Sequence, residues 1–238
     1  TCQAEIVELS YSGSAWIACP AAGIPAPGQY LQAVRLEQPG QILPVSLFRG
    51  GLDEAKEVPA EQRQPGWKLW QAAPPLPPDW TLGARLRLSG PLGTGFRLAE
   101  SARRLALVDL QGNPQRLLPL VSSALRSGAE TALFSDADPD LISPGLPLSL
   151  EIYPLEALPE SLNWPDVLAV DLALDQLAEL RGRLGLSFDQ RPPCPVEALV
   201  WAPMPCGGAA DCGACAAPGT RGHRLACKPG PVLDTGRS

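Results

Sequence analysis

Four of the seven cysteines in this 238-residue chain lie within a short stretch near its end. Cys206-Gly-Gly-Ala-Ala-Asp-Cys212-Gly-Ala-Cys215 is followed by Cys227, a C-x5-C-x2-C-x11-C spacing set among small residues. A metal-bound thiolate needs backbone N–H groups close to its sulfur, and bulky side chains would obstruct that approach. Plant-type two-iron, two-sulfide (2Fe–2S) proteins use C-x4-C-x2-C with a fourth Cys further along. This chain adds one residue between its first two thiols. The order of spacings predicts an iron–sulfur loop with Cys206, Cys212, Cys215 and Cys227 as ligands. Zinc is the rival reading, because tetrathiolate sites suit both metals. Structural zinc sites commonly pair two CxxC knuckles, however, and only Cys212–Cys215 forms one here. A Rieske centre needs two histidines and the chain has His223 alone, so that option fails.

The other reactive side chains carry less. An odd cysteine count precludes complete disulfide pairing, and Cys2, Cys19 and Cys194 read as small buried or terminal thiols. Arg221 and Arg224 flank His223. They either oppose the negative charge of a cluster and guide a partner, or form an ordinary solvated turn. Asp136, Asp138 and Asp140 alternate beside Pro139 without the further oxygen ligands of a calcium loop, and read as a solvated turn. With one His between Gly and Arg, no nucleophile–base set can be assembled.

These residues need a scaffold, and the rest of the chain describes one. A net charge of −6 without any basic run argues against a nucleic-acid partner. The apolar runs fall far short of the roughly 20 residues of a membrane span. A start at Thr1 without a charged, greasy leader gives the cytoplasm as the expected location. Short alternating runs fill the first hundred residues: Glu5–Ser10, Ala15–Ala18, Tyr30–Leu36, Ile42–Phe48, Trp67–Trp70 and Ala84–Leu88. Punctuated by Gly and Pro, they predict an antiparallel barrel of six-stranded type. The Pro-rich piece from Ala72 to Pro78 reads as a stiff, solvated connection. From about residue 100 buried strands alternate with helices: Arg104–Leu110, a helix through Leu117–Leu125 closed by Gly128, then Thr131–Phe134, Leu148–Tyr153 and Asp166–Val170, then a helix through Leu174–Leu184. That rhythm predicts a parallel sheet in an α/β unit. The expected organisation is a barrel over 1–98, an α/β nucleotide-binding-like domain over 99–193, and a cysteine loop domain over 194–238.

Four segments in this order carry a family resemblance. They are Pro27-Gly-Gln-Tyr-Leu31, Leu43-Pro-Val-Ser46, Gly90-Pro-Leu-Gly-Thr-Gly-Phe96, and the cysteine loop ending Cys227-Lys-Pro-Gly-Pro-Val232. The chain resembles the iron–sulfur, flavin-binding electron-transfer subunit of class B dihydroorotate dehydrogenase, within the ferredoxin–NADP reductase superfamily. The resemblance implies FAD held near Tyr30, Ser46 and Gly93, and a hetero-oligomer with a catalytic oxidoreductase subunit.

The departures are as specific. Leu43 stands where the family carries an Arg for the FAD pyrophosphate, and Gln71-Ala-Ala-Pro-Pro75 replaces a phosphate-cradling Gly-x-Gly-Thr turn. In the nucleotide half, Asn113, Pro114 and Arg116 occupy family glycine positions, although Arg116 could restore a phosphate contact. Asp171-Leu-Ala-Leu-Asp175 replaces a family turn that lines the nicotinamide. The expectation is an electron-transfer subunit with one 2Fe–2S cluster, with NAD(P) not bound. Two alternatives stand beside it: an active FAD-dependent NAD(P)H reductase with divergent sites, and a zinc-stabilised interaction subunit without redox chemistry.

Overall fold

The structure is a computed structural model of the chain, and it describes all residues except 38–42, 53–54, 60–63, 100, 139–144, 188–189, 220–221 and 236–238. Seven strands build the N-terminal sheet: β1 (Cys2–Leu9), β2 (Ala15–Pro20), β3 (Tyr30–Arg35), β4 (Val45–Phe48), β5 (Lys56–Glu57), β6 (Trp67–Ala72) and β7 (Arg85–Leu92). They are ordered β4-β3-β7-β1-β2-β6-β5 and every neighbouring pair is antiparallel. The sheet curls until β4 meets β6, where Arg49 bridges Ala72 and the Ala73 N–H donates to Phe48 O at 2.8 Å. Period-two alternation turns Ala4 and Ile6 of β1, and Leu86 and Leu88 of β7, inward onto Ile17, Leu31, Leu47 and Trp70. Each such aliphatic side chain contributes about 1.5–3 kcal/mol by leaving water. The six expected runs are strands, and the two-residue β5 is added to them. The Pro-rich piece is only partly solvated, since Ala73 is buried and Leu76 packs on the barrel core.

The second sheet takes β8 (Arg104–Asp109), β9 (Glu130–Ser135), β10 (Leu150–Tyr153), β11 (Val167–Ala173), β12 (Val196–Trp201) and β15 (Val232–Asp234). Its order is β10-β9-β8-β11-β12-β15, parallel except for the last strand. β8 and β11 are buried almost throughout, which is why they read as continuous apolar runs. Helix α1 (Leu118–Arg126) covers one face through Leu118, Leu120 and Val121. It ends at Gly128, whose φ of +72° is a conformation that glycine adopts without a steric penalty.

Helices α2 (Leu158–Ser161) and α3 (Leu180–Arg183) are single turns. The continuous helix expected through Leu174–Leu184 is instead a 3-10 stretch, Leu174–Ala178, followed by α3. Gln176 caps the start of that stretch: its Nε2 donates to Leu110 O at 3.0 Å, while its Oε1 accepts from Ala173 N–H at 2.9 Å. That side chain fixes the turn to the end of β8. Hairpin strands β13 (Ala216–Gly219) and β14 (Gly222–Leu225) project between Cys215 and Cys227. The segment 194–238, expected to be a unit of its own, contributes β12 and β15 to the α/β sheet, and the cysteine loop is an excursion between those two strands.

Candidate metal centre

The excursion leaves β12 through Met204, which is buried against the barrel, with Gln32 Nε2 at 3.9 Å from its sulfur. From Cys206 the backbone turns tightly. Gly207 and Gly208 have φ of +65° and +85°, and Ala210 is left-handed at +68°. This conformation gathers donors round one sulfur, as the run of small residues requires. The Cys206 thiol is pulled down to about 7, first by a hydrogen bond from the Cys212 thiol and then by backbone N–H groups of Ala210, Asp211 and Gly208.

The second thiol pair is assembled by the hairpin. Ala216 pairs with Leu225, and Ala226 N–H donates to Cys215 O at 2.9 Å, so the residues flanking the hairpin are brought side by side. Cys227 N–H then donates to Cys215 Sγ at 3.4 Å. The x11 spacer thus holds two four-residue strands, β13 and β14, and ends in Ala226. Burial pushes the Cys227 thiol up to about 12, helped by the hydrogen bond with Cys215 and the charges of Cys215 and Cys206. Cys215 and Cys227 are buried, Cys206 is half-buried and Cys212 is exposed.

The predicted ligands therefore meet as two pairs, Cys206 with Cys212 and Cys215 with Cys227, with Cys206 acting electrostatically on Cys227. Among the described residues, no three His, Cys, Asp or Glu side chains stand together as a group able to hold one metal ion. Two thiols per iron is what a 2Fe–2S cluster asks of its protein. The donor chemistry and the glycine turns fit that group.

The residues expected to touch FAD behave differently. Tyr30 is fully buried and its hydroxyl donates to Cys227 O at 3.1 Å. Its acidity is pushed to about 12 by burial, then by the charges of Cys227, Cys215 and Cys206. Gly93 takes φ +75° and backs onto the Gly230 carbonyl so closely that a Cβ would collide with it. Ser46 accepts from Gln32 Nε2 at 2.9 Å. Tyr30 and Gly93 are thus both in contact with the cysteine segment, and Ser46 with Gln32. Thr94, which the sequence did not single out, fastens the same segment: its N–H lies 2.8 Å from both Pro229 O and Gly230 O, and its hydroxyl donates to Pro229 O at 2.7 Å. No local signal reveals this contact, because the partners are 135 residues apart.

In the α/β sheet the order reverses between β8 and β11, the kind of point where open α/β sheets bind ligands. There Asp109 and Asp171 are paired in register at the carboxyl ends of their strands. Arg116 Nε donates to Asp171 Oδ2 at 2.7 Å, with both side chains nearly inaccessible, and its guanidinium lies 5.8 Å from the Phe48 ring centroid. Burial raises Asp171 to about 6 against the opposing pull of Arg116, and Asp109 is raised by burial too. Arg116 is spent inside the protein and is not presented to a phosphate.

Cys19 and Cys194 are buried and Cys2 half-buried, as small structural thiols. His223 and Arg224 are exposed on β14, while Arg221 and Asp140 lie outside the described residues. Asp136 accepts the N–H of Leu155 at 3.0 Å. No helix among the described residues is long and apolar enough to cross a membrane.

No protein-family model and no curated protein matches this chain. Solved structures do. The NADH-dependent reduced ferredoxin-NADP oxidoreductase, described for flavin-based electron bifurcation, superposes with a TM-score of 0.67 at 16% identity, over 97% of this chain and 87% of that one. The ferredoxin reductase of carbazole 1,9a-dioxygenase gives 0.54 at 17%, over 84% and 68%. A cytochrome P450 reductase from Amycolatopsis gives 0.50 at 13%, over 79% and 67%. What they share with this chain is the fold. It is a ferredoxin-reductase-type fold, a curled antiparallel sheet beside a parallel α/β sheet. The expectation that NAD(P) is not bound gains no support from these neighbours, the first of which is named for both NADH and NADP.

Proposed function

We propose that this chain is an electron-transfer subunit carrying one 2Fe–2S cluster on Cys206, Cys212, Cys215 and Cys227. It passes electrons between a flavin or nucleotide donor and a catalytic oxidoreductase partner in a hetero-oligomer. The observation that carries the proposal is the meeting of the four thiols as two pairs, one formed by a glycine turn and the other by a hairpin. The reductase-type fold and the sequence resemblance to the dihydroorotate dehydrogenase electron-transfer subunit support it from the scaffold side.

The cluster, when bound, accepts and releases one electron at a time. Around it the protein divides the work. Backbone N–H groups of Gly208, Ala210 and Asp211 stabilise negative charge on the Cys206 sulfur, and that of Cys227 does the same for Cys215. Cys215 and Cys227 face the protein interior and exclude water, whereas Cys212, Gly213 and Ala214 are exposed. The open side is where a partner can approach within electron-transfer distance.

Iron and acid-labile sulfide analysis of anaerobically purified protein, with EPR after dithionite, tests the proposal. Two irons and two sulfides per chain with a reduced-state signal are expected. One zinc per chain, or no metal, would overturn it.

A further inference from the structure

We infer that Tyr30 is a positioning residue of this cysteine centre: it grips both halves of the ligand segment from the barrel and sets how the cluster is held. The inference rests on the cluster reading above. Tyr30 opens β3 in a stretch that, from its sequence, reads as a flavin-contacting strand, yet the hydroxyl points at neither solvent nor a cleft. It donates to the backbone carbonyl of Cys227, 197 residues away, in a fully buried hydrogen bond of 3.1 Å. The same oxygen fills the space above Gly208, where a Cβ would lie 2.5 Å from Oη and 3.6 Å from Cζ. One hydroxyl therefore touches the turn that builds the Cys206–Cys212 pair and the strand end that builds the Cys215–Cys227 pair. Few other groups could do both, because the side chain must cross from the barrel and end in a donor. The ring is itself fixed by Phe48, with centroids 5.9 Å apart, so the donor arrives preorganised.

Two consequences follow from that geometry. The O–H dipole points its positive end at the ligand segment and favours the more negative, reduced cluster, as hydrogen bonds near cluster sulfurs do. Phenylalanine keeps the packing and removes the dipole. The second consequence is steric. Gly208 has no room for a methyl group while the hydroxyl is present, and removing the hydroxyl restores the room but not the backbone conformation, which still favours glycine at φ +85°.

The test uses the full-length protein and four forms: wild type, Tyr30→Phe, Gly208→Ala and the double variant. Iron and sulfide content comes first. If the wild type holds no cluster, the cluster reading fails and this inference falls with it. If the wild type is loaded, Tyr30→Phe should keep its iron but show a lower midpoint potential in a dye-mediated titration, altered g-values, and roughly tenfold faster iron loss to a chelator. Gly208→Ala should load poorly, and Tyr30→Phe in the same chain should recover part of the loading. A loaded Tyr30→Phe variant with unchanged potential, g-values and release rate, together with a double variant no better than Gly208→Ala, would overturn the positioning role and leave the cluster reading intact. Should Tyr30→Phe fail to fold, recovery of Gly208→Ala by Tyr30→Leu provides the same steric readout, and absence of recovery counts against the role.

Discussion

Asp171 and Arg116 show how a single buried pair dictates local behaviour. Asp171 is inaccessible and its Oδ1 has no hydrogen-bond partner among the described residues, so Arg116 carries most of its compensation. Arg116→Ala removes one partner and strands a carboxylate in the interior. Such a loss costs about 3–5 kcal/mol, and urea denaturation should show it. The pH dependence has a fixed sign. Burial raises Asp171 in the folded state from 3.8 to about 6, so the native protein binds a proton that the unfolded chain has already lost. This contribution to stability is fully present below about pH 4 and is lost as pH rises through about 6. In urea titrations across that window, the wild-type stability should fall relative to Asp171→Asn, and the two slopes should become parallel above it. Parallel slopes throughout would overturn a raised Asp171 in the folded state. From the sequence alone the strand ends at Val170 and Asp171 falls in a turn, whereas β11 runs on to Ala173 and Arg116, 55 residues away, reaches the carboxylate.

At the scale of elements, the glycine-rich turn after β7 acts as a fastener. Thr94 holds Pro229 and Gly230 through three short contacts, Gly93 lies close against the Gly230 carbonyl, and Arg97 N–H is held in turn by Glu197 Oε2 at 2.8 Å. Gly93→Ala would force a side chain into the Gly230 carbonyl at a left-handed φ, with an expected cost of at least about 2 kcal/mol. Thr94→Val removes only the hydroxyl donor, since Thr94 N–H still serves Pro229 O, and should cost about 1 kcal/mol. Thermal melts separate the two, and hydrogen exchange should localise the loosening of both to the residues from Ala226 onward. Strand and helix identities were legible because burial follows period: alternation in the barrel, continuous apolar runs in β8 and β11, and a leucine stripe along α1. The docking of the second helical stretch was not legible, because Gln176 bonds to Leu110, 66 residues away.

For the whole molecule, the barrel core and the core under α1 contain none of the four thiols, whereas Cys215, Ala217, Ala226 and Cys227 lie in the core on the other face of the α/β sheet. On the proposed function, removing the cluster's iron with a chelator under anaerobic conditions should therefore deprotect amides between Cys206 and Pro229 while β8, β9 and β11 keep their exchange protection. Global unfolding on chelation would mean that the excursion props up the sheet itself. What the sequence alone determined was the framework: that antiparallel strands precede an α/β unit. This follows from side-chain type and spacing along a local backbone, which neighbouring residues dictate. Only the tertiary structure decided that the thiols sort into two pairs, that Tyr30 and Gly93 touch the cysteine segment, and that Arg116 is buried. Each of those outcomes depends on groups tens to hundreds of residues apart being pressed together by a common core, and no periodicity in the chain encodes which buried donor will find which acceptor.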